Sequence, residues 1–247
     1  FIFGATLGVY SLHRLLSPYF QSRDYHSVRE TRLSAYRMWM ILTSVAGIAM
    51  VAGTFFYFDL NTKLRLVLPA IFSLCYMLPI PFLKKRIKDI PFIKIFFIAI
   101  TWGYVTVYIP RWYYMTDLDH GTLYFIARSA FLFAITIPFD IRDMEKDSVN
   151  GVRTIPLVTG ASRAVNIAGV ALFISFLCFT LLYINNQLKG WIFIFLGLQY
   201  VISYFLIGLS RQRKGDLYYS FGIDGLLILQ FLFVWLGDAI NSFPKLG

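Results

Sequence analysis

The sequence predicts an all-α polytopic transmembrane helical bundle, and three observations carry that prediction. Apolar residues make up 58% of the chain against 15% charged, and the mean hydropathy is +0.65, which excludes an ordinary soluble globule. Apolar runs long enough to cross ~30 Å of hydrocarbon recur along the chain, separated by polar connections of irregular length. The runs lack the alternating pattern of barrel strands, so helices are the spanning structure that satisfies the backbone.

Eight runs are counted: 1–16, 36–58, 66–83, 93–110, 121–139, 162–184, 190–209 and 221–240. The first is short for a span and opens at Phe1 without an initiator Met, so a further helix is expected upstream. It has neither the charged n-region nor the small-residue cleavage site of a signal peptide. Pro79 and Pro81 near the end of the third run, Pro110 after the fourth and Pro138 late in the fifth are expected to mark kinks or helix ends. Cys75 and Cys178 lie inside apolar runs without a pairing pattern and read as small buried hydrophobes. No soluble domain, low-complexity stretch or strict repeat interrupts the runs, so residues 1–247 read as one membrane domain. The aromatic residues, 19% of the chain, suit lipid-facing, packing and interfacial positions.

The formal charge of +10 does not point to nucleic acid, because the basic residues alternate by connection. One set of connections and margins carries 17 of the 23 Lys and Arg, among them Arg14, the cluster Lys84, Lys85, Arg86 and Lys88, Lys94, Arg142, Lys146, Arg153 and Arg211; the other carries 5, and Arg128 sits inside a run. The positive-inside rule makes the first set cytoplasmic. The longest of these connections, 17–35 and 140–161, are where chemistry can meet water.

The connection 140–161 opens with an unusual density of acids. In FDIRDMEKDSVNGVRTIP, Phe139 to Pro156, four of the chain's 13 acids, Asp140, Asp143, Glu145 and Asp147, fall within eight positions. On a helix, Asp140, Asp143 and Asp147 follow i, i+3, i+7 spacing and share one stripe. Carboxylates that close raise one another's pKa unless a cation intervenes. Mg²⁺ suits such oxygen ligands and commonly bridges one or two carboxylates to a substrate phosphate. The other reading is a solvated loop in which the acids pair with Arg142, Lys146 and Arg153. A turn is expected at Asn150-Gly151.

The stretch DIRDMEKDSVNGVRTIPLVTG resembles the second aspartate-rich motif of the UbiA superfamily of membrane prenyltransferases, a DxxxD element followed by Gly-(basic)-Thr. Asp143 and Asp147 match the paired aspartates, Asp140 the acid that often precedes them, and Gly151, Arg153 and Thr154 the downstream signature. The resemblance implies nine transmembrane helices with this motif at the cytoplasmic end of the sixth, which agrees with one helix ahead of Phe1. It implies transfer of a prenyl chain from a prenyl diphosphate to a lipophilic, often aromatic, acceptor. Asp143 and Asp147 would be the catalytic pair, Asp140, Asp143 and Asp147 would hold Mg²⁺, and Lys94, Lys146 and Arg153 would contact the diphosphate. The allylic cation needs a dry pocket with aromatic faces.

The family's first motif, NxxxDxxxD, belongs in the first run, where the chain reads GVYSLHRLLSPYF. Starting the pattern at Tyr10 puts Arg14 and Pro18 at the aspartate positions; starting at Ser11 puts Leu15 and Tyr19 there. The motif is degenerate. Arg14 would then either replace a metal ion as counter-charge to the diphosphate or close the acidic site as a salt bridge. Asp24 and Glu30 have the wrong spacing to replace the missing acids, and His13, His26 and His120 form no ligand cluster. Asp224, at the start of the last run, is either a functional ionisable residue or a partner of Arg211 or Arg213.

The reading is therefore a UbiA-type prenyltransferase in a bacterial inner membrane, its site facing the cytoplasm, with membrane lipid as its surroundings. The rival is a catalytically degenerate subunit of the same fold, a scaffold or lipid-binding element with membrane-protein partners. A transporter ranks third, because no run carries the string of ionisable groups that a relay needs.

Overall fold

The computed structural model describes residues 1–16, 36–77, 90, 92–114, 120–212 and 214–242. They are helical, with no strand among them: α1 (Ile2–Leu16), α2 (Arg37–Phe55), α3 (Leu60–Met77), α4 (Ile93–Tyr113), α5 (Gly121–Arg142), two short helices α6 (Met144–Val149) and α7 (Ile155–Thr159), then α8 (Ala161–Ile184), α9 (Gly190–Leu209) and α10 (Gly225–Ser242). Each of the eight apolar runs coincides with a long helix. Six are long and apolar enough to cross a membrane: α2, α4, α5, α8, α9 and the segment Tyr218–Ser242 that contains α10. The other two are the 15-residue α1 and α3, which starts at Leu60 and so includes Lys63 and Arg65.

Two of the prolines expected at kinks or helix ends stand close to the ends of their helices. Pro110 and Pro138 lie inside α4 and α5, which continue to Tyr113 and Arg142. Pro138 is fully buried, and the helix beyond it carries Asp140. Pro79 and Pro81 lie outside the described residues, as do Asp24, Glu30, His26 and Arg213.

The chain divides into two compact units, Phe1–Ile90 with Val149–Val152, and Pro91–Ser148 with Arg153–Gly247. In the first, α1 packs on α2 through glycine: a Cβ on Gly47 would lie 2.4 Å from the Gly8 nitrogen and 2.7 Å from the Gly4 carbonyl oxygen. Ser11 and Thr43 hydroxyls meet across the contact at 2.9 Å. Small residues permit this approach, and dispersion and interhelical hydrogen bonds supply the attraction where lipid offers no hydrophobic drive.

The second unit is built on α5 and α8. Ala164, Ala168, Ala171, Ser175, Cys178 and Leu182 form a buried stripe at helical spacing on α8, against Ala127, Phe131, Ala134 and Ile137 of α5. Ser175 also donates to the Ala127 carbonyl. Tyr200 of α9 completes the core, its ring 5.7 Å from Phe131. Arg128, in mid-span, donates to Gln230 Oε1 of α10, so the polar group inside the run ties two helices together. Before α10 the chain makes a π-helical turn, Tyr218–Ile223, in which the Asp224 N–H reaches back to the Tyr219 carbonyl. π-turns recur at functional sites.

Candidate functional site

The acidic stretch begins inside a span and ends outside it. Asp140 lies on the last turn of α5, buried at 2% exposure. Asp143 caps that helix with φ −92° and ψ 5°, and α6 restarts at Met144. The hydrogen bonds Asp143 N–H to Phe139 O and Asp147 N–H to Asp143 O hold helical spacing across the break. The span therefore extends three residues beyond the run read from sequence, and the helix breaks at the middle aspartate.

Two cations divide the three carboxylates. Lys94 Nζ lies 2.7 Å from Asp140 Oδ1 and 3.9 Å from Asp147 Oδ2. Asp143 instead receives both arms of Arg142, Nε to Oδ1 at 2.7 Å and Nη2 to Oδ2 at 3.1 Å. The Arg142 guanidinium stacks near the rings of Phe139 and Tyr219, at 5.0 and 5.2 Å from their centroids. The π-helical turn presents this buried Tyr219, and Asp216 and Asp224 lie within electrostatic reach of Arg142. Asp224, read from sequence as either a functional ionisable residue or a partner of Arg211 or Arg213, feels the charge of Arg142.

Lys94 reaches the acids because the start of α4 is pinned to the segment after them. Phe92, in the left-handed region at φ 62°, donates its N–H to the Arg153 carbonyl at 3.2 Å. Gly151 adopts φ 67° in the Asn150-Gly151 turn, a conformation that glycine takes without strain. Thr154 is buried at the start of α7, and its hydroxyl has no hydrogen-bond partner among the described residues. Arg153 is exposed, and Lys146 lies within electrostatic reach of Asp147.

Asp147 is the unsettled member. Its Oδ2 is buried without a hydrogen-bond partner among the described residues. Burial pushes its carboxyl up to about 6, against the opposing pull of Lys94, and the negative charges of Asp140 and Asp143 add to the rise. A buried, hard, anionic oxygen of this kind fits Mg²⁺, which takes one or two carboxylates and completes its shell with water and phosphate oxygen. Among the described residues no three His, Cys, Asp or Glu side chains converge as a closed metal cage. The donor set thus suits an open site completed by its ligand.

The other sequence candidates lie elsewhere. Arg14 belongs to the first unit, where its guanidinium covers the Tyr10 ring at 4.3 Å and donates to the Tyr10 hydroxyl. His13 lies beside Tyr76 at 6.1 Å. His120 precedes α5 with its Nδ1 buried and unpaired. Cys75 and Cys178 are free thiols, the latter buried. Sequence reasoning treated Arg142 only as a loop partner and missed Tyr219. No local signal marks Tyr219, which lies 77 residues beyond Arg142, but the i, i+3 spacing of Phe139 and Arg142 was legible.

Comparison with known proteins bears on the family and the fold. A search of curated proteins gave no match. A solved structure from work on digeranylgeranylglyceryl phosphate synthase in membranes is similar in fold, with a TM-score of 0.57 at 16% identity, covering 95% of this chain and 78% of that one. Residues 28–236, which include the whole acidic stretch, match the UbiA prenyltransferase family. The chain belongs to the UbiA prenyltransferase family.

Proposed function

We propose that the protein transfers a prenyl chain from a prenyl diphosphate to a lipophilic, aromatic acceptor, at a site around Asp143 and Asp147 that faces the cytoplasm of a bacterial inner membrane. The observation that carries the reading is the buried Asp147 Oδ2 beside Lys94 at the end of a membrane span, an oxygen that accepts no hydrogen bond from the described residues. Asp147 and Asp143 would hold Mg²⁺, with Asp140 behind them; the ion, when bound, supplies charge neutralisation to the departing diphosphate. Asp140 holds the Lys94 ammonium at the membrane edge, where it offers its remaining protons to diphosphate oxygen. Lys146 and Arg153 add positive charge on the solvent side. The Arg142 pair fixes one orientation of Asp143. As the allylic C–O bond breaks, its electron pair leaves with the diphosphate; the acceptor's π electrons then form the C–C bond and a proton is lost from the ring. Arg14 would serve as a further counter-charge in place of the acids missing from the first motif.

A second reading has its own observation. Asp140 and Asp143 are already neutralised by Lys94 and Arg142, as in a subunit that keeps the fold as a scaffold or lipid-binding element with membrane-protein partners. Binding of a long-chain prenyl diphosphate to the purified, detergent-solubilised protein separates the two. Transfer predicts Mg²⁺-dependent binding that the double variant Asp143→Asn, Asp147→Asn loses. No binding with or without Mg²⁺ would overturn it in favour of the scaffold. Arg14→Asp should raise the metal dependence of that binding if Arg14 stands in for a cation.

A further inference from the structure

A groove of ≈ 480 Å³ runs between α8 and α9 on the outer side of the second unit, apart from the acidic site. Its walls are Val170 and Phe173 of α8 and Tyr204, Phe205 and Leu209 of α9, all exposed on segments that span the membrane. They therefore face hydrocarbon. Two glycines keep the groove open. A Cβ on Gly208 would meet nothing within 4 Å, and one on Gly169 would meet only the Tyr204 ring, at 3.5 Å.

The groove is apolar along its length and basic at one end. α8 begins and α9 ends on the membrane face that also carries the acidic stretch, and there Arg211 Nη2 donates to Asn166 Oδ1 at 3.4 Å. Arg163 lies one turn before Asn166, on the same face of α8. Neither Arg163 nor Arg211 has a carboxylate partner among the described residues, and the Asn166 side-chain nitrogen makes no hydrogen bond there. The Arg211 guanidinium and the Asn166 amide thus stand at the end of a slot that lies in the acyl-chain layer, with Arg163 one helical turn away. Two cations at this depth favour a negative headgroup. A guanidinium also grips phosphate through a planar fork.

We infer that the α8–α9 groove is a binding site for an anionic glycerophospholipid, one acyl chain lying over Gly169 and Gly208 and the phosphate held by Arg211, Asn166 and Arg163. The site is independent of the prenyl-transfer reading, since it shares no side chain with it.

Native mass spectrometry of the full chain released from detergent, loaded with phosphatidylglycerol or with phosphatidylcholine of the same chains, tests the inference. The unaltered protein should retain the anionic lipid about tenfold better. Arg211→Gln should cut that preference to about threefold while leaving phosphatidylcholine retention unchanged, and Gly208→Leu, which fills the slot, should lower retention of both. Equal retention of the two lipids, or an intact preference in Arg211→Gln, would overturn the site. So would displacement of the lipid by inorganic phosphate alone, which would mean a headgroup contact without the groove. Arg211 is exposed, so its replacement does not threaten folding, and the two-lipid comparison within one preparation stands even if Gly208→Leu fails to fold.

Discussion

Two ion pairs of nearly equal length stand at opposite membrane faces of the second unit. Lys94–Asp140 spans 2.7 Å with side-chain exposures of 21% and 3%; Lys189–Asp238 spans 2.6 Å with 54% and 55%. The chemistry is the same and the setting reverses its meaning. The exposed pair competes with water and salt and contributes little. The buried pair could not be left half-made, because Asp140 would then be a lone carboxylate behind the hydrocarbon boundary. Distance alone does not distinguish a fastening from a decoration; burial does.

Breaking the two pairs in the same way should expose that difference. Lys94→Met removes the cation from Asp140 and Asp147 together and should cost ~3–5 kcal/mol, read as a collapse of the thermal midpoint in detergent. Restoration on adding Asp140→Asn would confirm that the loss lies in the stranded charge; no recovery would assign it to packing of the lysine stem.

Asp147 sharpens the comparison through pH. Its carboxyl titrates near 6 in the fold against an ordinary value of 3.8, so between those pH values the folded state binds more protons than the unfolded one, and stability falls as pH rises through the window. Asp147→Asn should therefore stabilise the protein by ~2 kcal/mol at pH 7.5 in a metal chelator, the gain fading to nothing below about pH 4. A gain that persists at low pH would locate the effect in something other than ionisation. Added Mg²⁺ should erase the pH slope in the unaltered protein, and the variant should show no such slope with or without the ion.

Tyr219→Leu takes away a ring under Arg142 and should cost about 1 kcal/mol, with a smaller loss in Arg142→Met, Tyr219→Leu than the sum of the two single changes. An additive result would mean that the stacking carries no energy of its own. The smallest effect belongs to the exposed pair: Lys189→Met should change stability by no more than about 0.5 kcal/mol and become silent at high salt. A loss comparable to that of Lys94→Met would erase the distinction drawn between the pairs.

The legible and illegible parts of the site divide along sequence distance. The acids and the turn glycine at 151 were readable because they lie within one short stretch, where spacing and turn chemistry act locally. Lys94 was named as a phosphate contact from its charge, yet its bond to Asp140, 46 residues away, depends on the backbone link from Phe92 to Arg153. Tyr219 carried no signal, because a tyrosine in an aromatic-rich membrane protein is unremarkable until a π-helical turn points it at Arg142. The shared stripe was half right: helical hydrogen bonds do continue through Asp143, but this residue turns to its neighbour Arg142 while Asp140 and Asp147 turn to Lys94.

The sequence by itself determined the all-α membrane architecture, since hydrocarbon forces long apolar runs into helices, and it determined the family through one dense polar stretch. Tertiary structure alone decided which cation meets which carboxylate and left Asp147 Oδ2 without a hydrogen bond among the described residues. It also set Arg211 at the mouth of the groove over Gly169 and Gly208. The physical reason is that helix formation and membrane insertion are summed over local residues, whereas an ion pair or a groove exists only where segments distant in the chain are packed side by side.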